Sequence, residues 1–296
     1  VLNLTRLQVL AAVAEHGSIT AAAAALHYAQ PSVSHHLARL EAETGAVLVQ
    51  RVGRGVRLTE AGRLLAARAG EILGRVQAAG DELAAHTGLR AGRVRLAAFP
   101  SALGTLVPTA AARLRAAHPE LGVELSEVEP PEALELLRAG AVDAAVIFRY
   151  ATEPDQEDLR LDRLDDEPVH LVGPTGADWP AELAEHAEAD WIAGCERCRN
   201  HLVQLCADAG FTPRIRFTTD DYVAAQALVA AGLGVTVLPD LALRAYRRPG
   251  VRTRELPGAR RQIMLARYGR PPDPPAVRAL AAALTTPGAP AGRPRR

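Results

Sequence analysis

Apolar positions in the first sixty residues recur at helical spacing and then shift to short alternating runs. Leu4, Leu7, Val9 to Ala12 and Val13 repeat with a helical period, and Gly17 stops that helix. Ser18 is a favourable N-cap for a second, Ala-rich helix over 19–26. A break at 27–30 follows, and Pro31 suits the first turn of a third helix. There Val33, Leu37 and Leu40 stand at i, i+4 and i+7 and form one buried stripe, which leaves Ser32, Ser34, His35, His36 and Arg39 outside it. Gly45 ends the helix. Residues 47–51 and 56–59 then flank Gly53-Arg54-Gly55, a turn compatible with a short hairpin.

Residues 58–88 carry a different pattern. Leu58, Gly62, Leu65, Ala69, Ile72, Val76, Ala79, Leu83 and His86 are spaced alternately by four and three, a heptad seam on one long helix. The favoured reading is a dimer seam through Leu58, Leu65, Ile72, Val76 and Leu83; the alternative is a helix packed on its own globular core. From Gly92 the pattern alternates strand and helix. Strands are expected at 94–99, 123–128, 144–148, 169–172, 191–193 and 234–238, with helices at 103–117, 131–139, 199–209 and 221–231. Repeated βα units predict parallel sheets covered by helices, in two lobes, with 262–268 as a strand returning to the first.

Composition narrows the class. The chain has 296 residues, 48% apolar and 23% charged, too apolar for a disordered chain and too charged for a membrane bundle. No apolar run reaches the ~18 residues of a spanning helix, and the first ten residues lack a signal-peptide layout, so a cytoplasmic chain without membrane association is expected. All 34 basic residues are Arg, matched by 34 acidic ones. The balance is uneven: 150–168 is acidic and 244–296 is Arg-rich, a distribution read as solvated faces. One Met, no Lys and Val1 at the start suggest GC-rich codons and a GTG start, a trait of the genome rather than of function.

Two small helices joined by a tight turn and followed by a glycine-bearing hairpin form a winged helix-turn-helix pattern. Docking the apolar stripe of the third helix presents its polar N-terminal edge to a major groove. Gln30, Ser32, Ser34 and His35 can meet base edges or phosphates, while Arg39, Arg51 and Arg54 can neutralise phosphates. The helix starts at Ser18 and Pro31 add backbone N–H groups for anions.

On three stretches the chain resembles the LysR-type transcriptional regulators. They are LQVLAAVAEHGSITAAA at 7–23, AQPSVSHHLARLE at 29–41 and GRGVRLTEAG at 53–62. The resemblance covers nearly the whole chain and implies a multidomain α+β fold. Its parts would be a winged helix-turn-helix at 1–60, a linker and dimerisation helix at 61–90, and a two-lobed, periplasmic-binding-protein-like effector domain at 91–296. Lobe one would hold roughly 91–162 and 268–288 and lobe two roughly 163–267, with a disordered tail beyond. It implies a dimer or tetramer on a promoter dyad, answering to a small-molecule inducer, with RNA polymerase as a further candidate partner. Family DNA contacts fall on Gln30, Pro31, Ser32, Ser34 and His35, more weakly on Arg39, and in the wing on Arg51 and Arg54. Two departures stand out: His35-His36 where the family often has Arg after the second serine, and no aromatic near Leu48-Val49.

Ligands of open α/β sheets bind beyond the carboxyl ends of strands. Residues expected at such ends are Ser101, Arg149, Cys195, Thr219, Gly234 and Val235, and the resemblance adds Thr105 to the inducer cleft. Arg149 or Arg197 would suit a carboxylate inducer. Cys195-Glu-Arg-Cys198, with Cys206 eight residues on, reads first as buried or loop thiols; redox sensing and metal binding stay open, though one CxxC with His201 is weak for zinc. No GxSxG, HExxH or GxxxxGK[ST] occurs, so neither catalytic residues nor a resident cofactor or metal is expected. A free-standing solute-binding protein is the other rival, and the DNA-reading front argues against it.

Overall fold

The computed structural model of the chain describes residues 2–52, 55–86, 92–151, 153, 156, 158–176, 182–269 and 271–286. Contacts divide the chain into two units, one of 1–95 with 120–124 and 134–143, the other of 96–119, 125–133 and 144–296. No helix among the described residues is long and apolar enough to cross a membrane.

The first unit begins with α1 (Leu4–His16), whose first turn is capped by Asn3: its Oδ1 accepts from the Thr5 N–H at 2.9 Å. Gly17, at φ 64°, closes the helix in the left-handed conformation. α2 (Ile19–Ala25) starts at Ser18, whose Oγ accepts from the Ala21 N–H at 3.0 Å. His27, at φ 55°, turns the chain tightly into α3 (Gln30–Thr44). Val33, Leu37 and Leu40 are all buried, and they pack with Leu7, Leu10, Val13 and Ala22 into one core. Burying each such side chain contributes roughly 1.5–3 kcal/mol, which is what holds a helix of this length at a fixed angle.

The wing is β1 (Val49–Val52) paired antiparallel with β2 (Gly55–Leu58). Its turn at Gly53-Arg54 lies outside the described residues. Glu41 ties wing to helix, accepting at Oε1 from the Leu48 N–H at 2.8 Å and the Val49 N–H at 3.2 Å. α4 (Glu60–His86) follows, its start held by Thr59, whose Oγ1 accepts from the Gly62 N–H at 3.0 Å. Gly62 sits so close to the Leu48 carbonyl that a Cβ would have no room.

The seam expected along this helix is corrected in part. Leu58 lies in β2, before the helix begins. Leu65 and Ile72 pack on the core of α1–α3, and Ala69 is fully buried in it. A 4–3 repeat satisfies an internal core as well as a partner helix, and here the core took the first half. Leu64, Val76 and Leu83 stay exposed, at 65%, 50% and 64%.

An eight-stranded sheet has the order β4-β3-β5-β10-β6-β9-β7-β8. Its members are β3 (Arg93–Ala98), β4 (Gly122–Glu127), β5 (Ala144–Arg149), β6 (Leu159–Pro174), β7 (Asp190–Ala193), β8 (Arg214–Thr218), β9 (Val235–Pro239) and β10 (Val251–Tyr268). β3 and β5 are parallel, as are β7 with β8 and β9, matching the two βα groups. Between them run two long antiparallel strands, β6 and β10, of 16 and 18 residues. The helices are α5 (Pro100–Leu103), α6 (Leu106–Ala117), α7 (Pro130–Arg138), α8 (Glu196–Asp208), α9 (Tyr222–Ala230), α10 (Asp240–Ala245) and α11 (Pro275–Thr285). The returning strand of 262–268 does pair with β5, but it is only the second half of β10.

Part of the acidic stretch lies beside part of the Arg-rich one. Where β6 and β10 run side by side, Asp162 pairs with Arg267, Asp166 with Arg260 and Glu167 with Arg261. Arg160 of β6 and Arg267 of β10 both reach Asp273. These pairs offset part of the charge asymmetry across the strands, while Asp162 and Arg260 stay exposed.

Candidate functional site

The polar edge of α3 is open to solvent. Gln30, Pro31, Ser32, His35 and Arg39 are exposed, while Ser34 is half-buried. Gln30 is held in place by its own helix, its Nε2 donating to Ser34 Oγ at 3.1 Å. Ala29, the N-cap, makes no side-chain cap, but Pro31 has no N–H and the Ser32 and Val33 N–H groups donate to the Ala29 carbonyl at 2.9 and 3.3 Å, so this helix start does not offer the N–H groups expected for an anion. The hydroxyl of Ser18 is already committed to capping α2, which makes it a positioning group. Arg51 lies on β1 and Arg54 falls outside the described residues. Tyr28 was missed from sequence: it is 41% exposed just ahead of α3, its ring 6.0 Å from that of His36. A tyrosine ahead of a proline-started helix is an ordinary loop residue by pattern, and only the fold brings it to this edge.

In the second unit, a cavity of about 70 Å³ lies beyond the carboxyl ends of β3, β5, β7 and β9. Its apolar wall includes Phe99, Phe148, Ala225 and Leu238, and its polar groups include Ser101, Glu129, Cys195, Cys198, Thr219 and Arg261. Ser101, Cys195 and Thr219 thus come together as expected. Thr105 does not line the cavity; its Oγ1 donates to the Ser101 carbonyl at 2.6 Å and steadies α5 behind it. Gly234 and Val235 are at the wrong end of β9. Gly234 passes under the Asp190 carbonyl, where a Cβ would come within 2.5 Å, and Val235 pairs with Trp191. It is the other end of the strand, Thr236 to Pro239, that reaches the cavity.

The two arginines expected to suit a carboxylate both make hydrogen bonds within the protein, although Arg197 Nε is buried without a partner among the described residues. Arg149 donates to the Glu153 carbonyl at 2.7 Å, and Arg197 donates to the Glu153 carboxylate and, at 2.9 Å, to the Phe148 carbonyl. The cation at the cavity is Arg261, which sequence reasoning passed over as one of many surface arginines. It is 3% exposed, packed over the Phe99 and Phe148 rings at 4.9 and 4.3 Å. Its Nε donates to Glu167, itself 2% exposed, and its Nη2 donates to Ser101 Oγ at 3.0 Å. Glu167 also accepts from the Leu241 N–H at 2.7 Å, which closes the network. An anion entering here would compete with a carboxylate already in place.

Burial pushes Glu129 above the usual carboxylate range, against the pull of the Cys195 hydrogen bond and the Arg261 charge. The two cysteines split: hydrogen bonding to Cys198 and burial raise Cys195, while the same hydrogen bond, helped by Arg261, lowers Cys198. His201 stacks on Tyr150 with centroids 3.9 Å apart and is held neutral, its pKa lowered to about 4 chiefly by burial. An unfolded histidine titrates near 6.5, so between about 6.5 and 4 the unfolded chain binds the extra proton and stability falls with pH. The melting-temperature gap between the natural chain and His201→Asn should therefore shrink as pH drops through that window. A gap that stays constant would mean the ring is not held neutral.

Residues 4–63 match the family described as bacterial regulatory helix-turn-helix protein, lysR family, and residues 87–287 match the LysR substrate binding domain. The HTH-type transcriptional regulator TfdS of Cupriavidus pinatubonensis is 30% identical over 267 residues, 88% of this chain and 90% of that protein. The dual regulator OxyR of Escherichia coli is 28% identical over 255 residues, 83% of this chain and 82% of its own. Among solved structures, full-length CbnR complexed with its target DNA aligns with a TM-score of 0.66 at 24% identity, covering 96% of this chain and 99% of that one.

Proposed function

Since the chain belongs to the LysR family of DNA-binding transcriptional regulators, we propose that it reads a promoter dyad through α3 and is tuned by a small inducer held in the Arg261 cavity. The observation that carries the first half is the division of α3 into a buried stripe of Val33, Leu37 and Leu40 and an exposed edge of Ser32 and His35. The edge can meet base donors and acceptors only because the stripe anchors the helix at a fixed depth. His35→Ala should weaken operator binding by about 1–3 kcal/mol, read by gel-shift titration. Unchanged affinity together with unchanged base preference would remove His35 from the interface.

Two copies are needed to span a dyad. The exposed Val76 and Leu83 on α4 support pairing through the second half of that helix. Val76→Asp combined with Leu83→Asp should raise the dimer dissociation constant about tenfold or more, since each buries a charge in the seam. Sedimentation equilibrium checks it, and an unchanged constant would move the interface elsewhere. For the inducer, the pairing of Arg261 with Glu167 favours a small uncharged molecule over a carboxylate in this cavity. No catalytic role and a cytoplasmic location complete the reading; relatives such as TfdS are transcriptional regulators.

A further inference from the structure

Cys195 and Cys198 lie on the cavity wall with their sulfurs 3.0 Å apart, the Cys195 thiol donating to Cys198 Sγ. Cys195 caps α8 and Cys198 sits in its first turn, so helix geometry fixes their spacing. Cys206, in the same helix, is fully buried, lines no part of the cavity and has its pKa pushed up to about 12 by burial. Beside Cys195, Glu129 Oε2 is buried without a hydrogen-bond partner among the described residues. These features set two thiols side by side against a buried carboxylate, one of whose oxygens has no hydrogen-bond partner among the described residues.

Adjacent thiols select a ligand atom that can take two sulfurs at once. Zinc, with Zn–S bonds near 2.3 Å in a tetrahedron, would spread the sulfurs to about 3.8 Å and demand two more ligands. No group of three His, Cys, Asp or Glu among the described residues is placed to hold a metal ion. A trivalent arsenic centre makes three bonds in a shallow pyramid, which keeps two sulfurs close and asks nothing more of the protein. Its hydroxide form is small and uncharged near neutral pH, suited to a cavity of about 70 Å³ whose arginine is already paired.

We propose that the Cys195–Cys198 dithiol is a chelating site for trivalent arsenic in its hydroxide form. The proposal rests on the reading of this cavity as the effector site. Cys198 sulfur, which accepts the hydrogen bond, forms the first S–As bond and displaces one hydroxide; Cys195 forms the second. Each departing hydroxide leaves as water with one thiol proton, and no atom changes oxidation state. The third hydroxyl stays on arsenic and donates to Glu129 Oε2.

The full-length reduced chain is titrated with sodium arsenite without oxygen, followed by free-thiol count and intact mass. The expected result is loss of two thiols per chain with a mass gain of one arsenic, reversed by excess small dithiol. Cys195→Ser and Cys198→Ser should each weaken binding about 100-fold or more, the loss of two-point attachment, while Cys206→Ser binds as the natural chain does. Equal weakening by Cys206→Ser, or single-serine variants that bind normally, would overturn the site. So would two thiols lost with a mass fall of two hydrogens, which is disulfide formation. A gel-shift on the chain's upstream DNA separates the two readings. Arsenic bound with operator affinity unchanged keeps the site and sinks the effector role; no arsenic bound, with another small molecule altering the shift, does the reverse.

Discussion

Glu167→Ala should cost about 3–5 kcal/mol of stability, because it strands a guanidinium in the interior. Arg261 and Glu167 are both almost wholly buried, and Glu167 Oε1 is the acceptor for Arg261 Nε. Burial pushes Glu167 above the usual carboxylate range, and the Arg261 charge and the Leu241 N–H pull it back. Removing Glu167 leaves Arg261 with Ser101 Oγ and two aromatic faces in contact and with Glu129 and Cys198 as the nearby groups its charge acts on. Replacing both partners, Glu167→Leu with Arg261→Met, should recover most of the loss, since the desolvation of two charges goes with them. Urea unfolding of the two variants checks this. A single variant within about 1 kcal/mol of the natural chain would show that the pair is solvated and that the cavity lacks the fixed cation described above.

The second large effect is on DNA. Ser32→Glu should lower operator affinity by about 100-fold or more, since a carboxylate on the exposed first turn of α3 faces phosphates and base acceptors of like sign. The fold should tolerate it: Ser32 is exposed, outside the stripe of Val33, Leu37 and Leu40, and an acidic residue near a helix N-terminus is favourable to the helix. Circular dichroism and melting temperature should therefore match the natural chain while binding fails. Binding retained within a few-fold would place the duplex elsewhere.

The reading head was legible in the sequence because everything that builds it is local. The stripe of α3, the cap at Ser18 and the stop at Gly17 each act within a few residues, and the structure has them where the pattern put them. The ligand cavity was legible only by the rule that strand ends face ligands. That rule found Ser101, Cys195 and Thr219 but misjudged which end of β9 was which, because glycines at 232 and 234 signal a turn without saying what lies beyond it. Arg261 could not be singled out, since its partner Glu167 is 94 residues away and both sit in runs of like charge. The same runs hid the length of β6 and β10, because the charged residues in their middle pair across the strands and interrupt the alternation of burial. Leu65 and Ile72 show the limit of periodicity: a repeat says that a face is covered, not by what.

The most direct measurement is a hydroxyl-radical footprint of the purified chain on the DNA upstream of its own gene. Two protected patches on one face of the duplex are expected, their centres one helical turn or a multiple apart, and both should vanish with Ser32→Glu. Protection in a single patch, or patches that survive that substitution, would contradict the claim that the exposed edge of α3 lies against the bases.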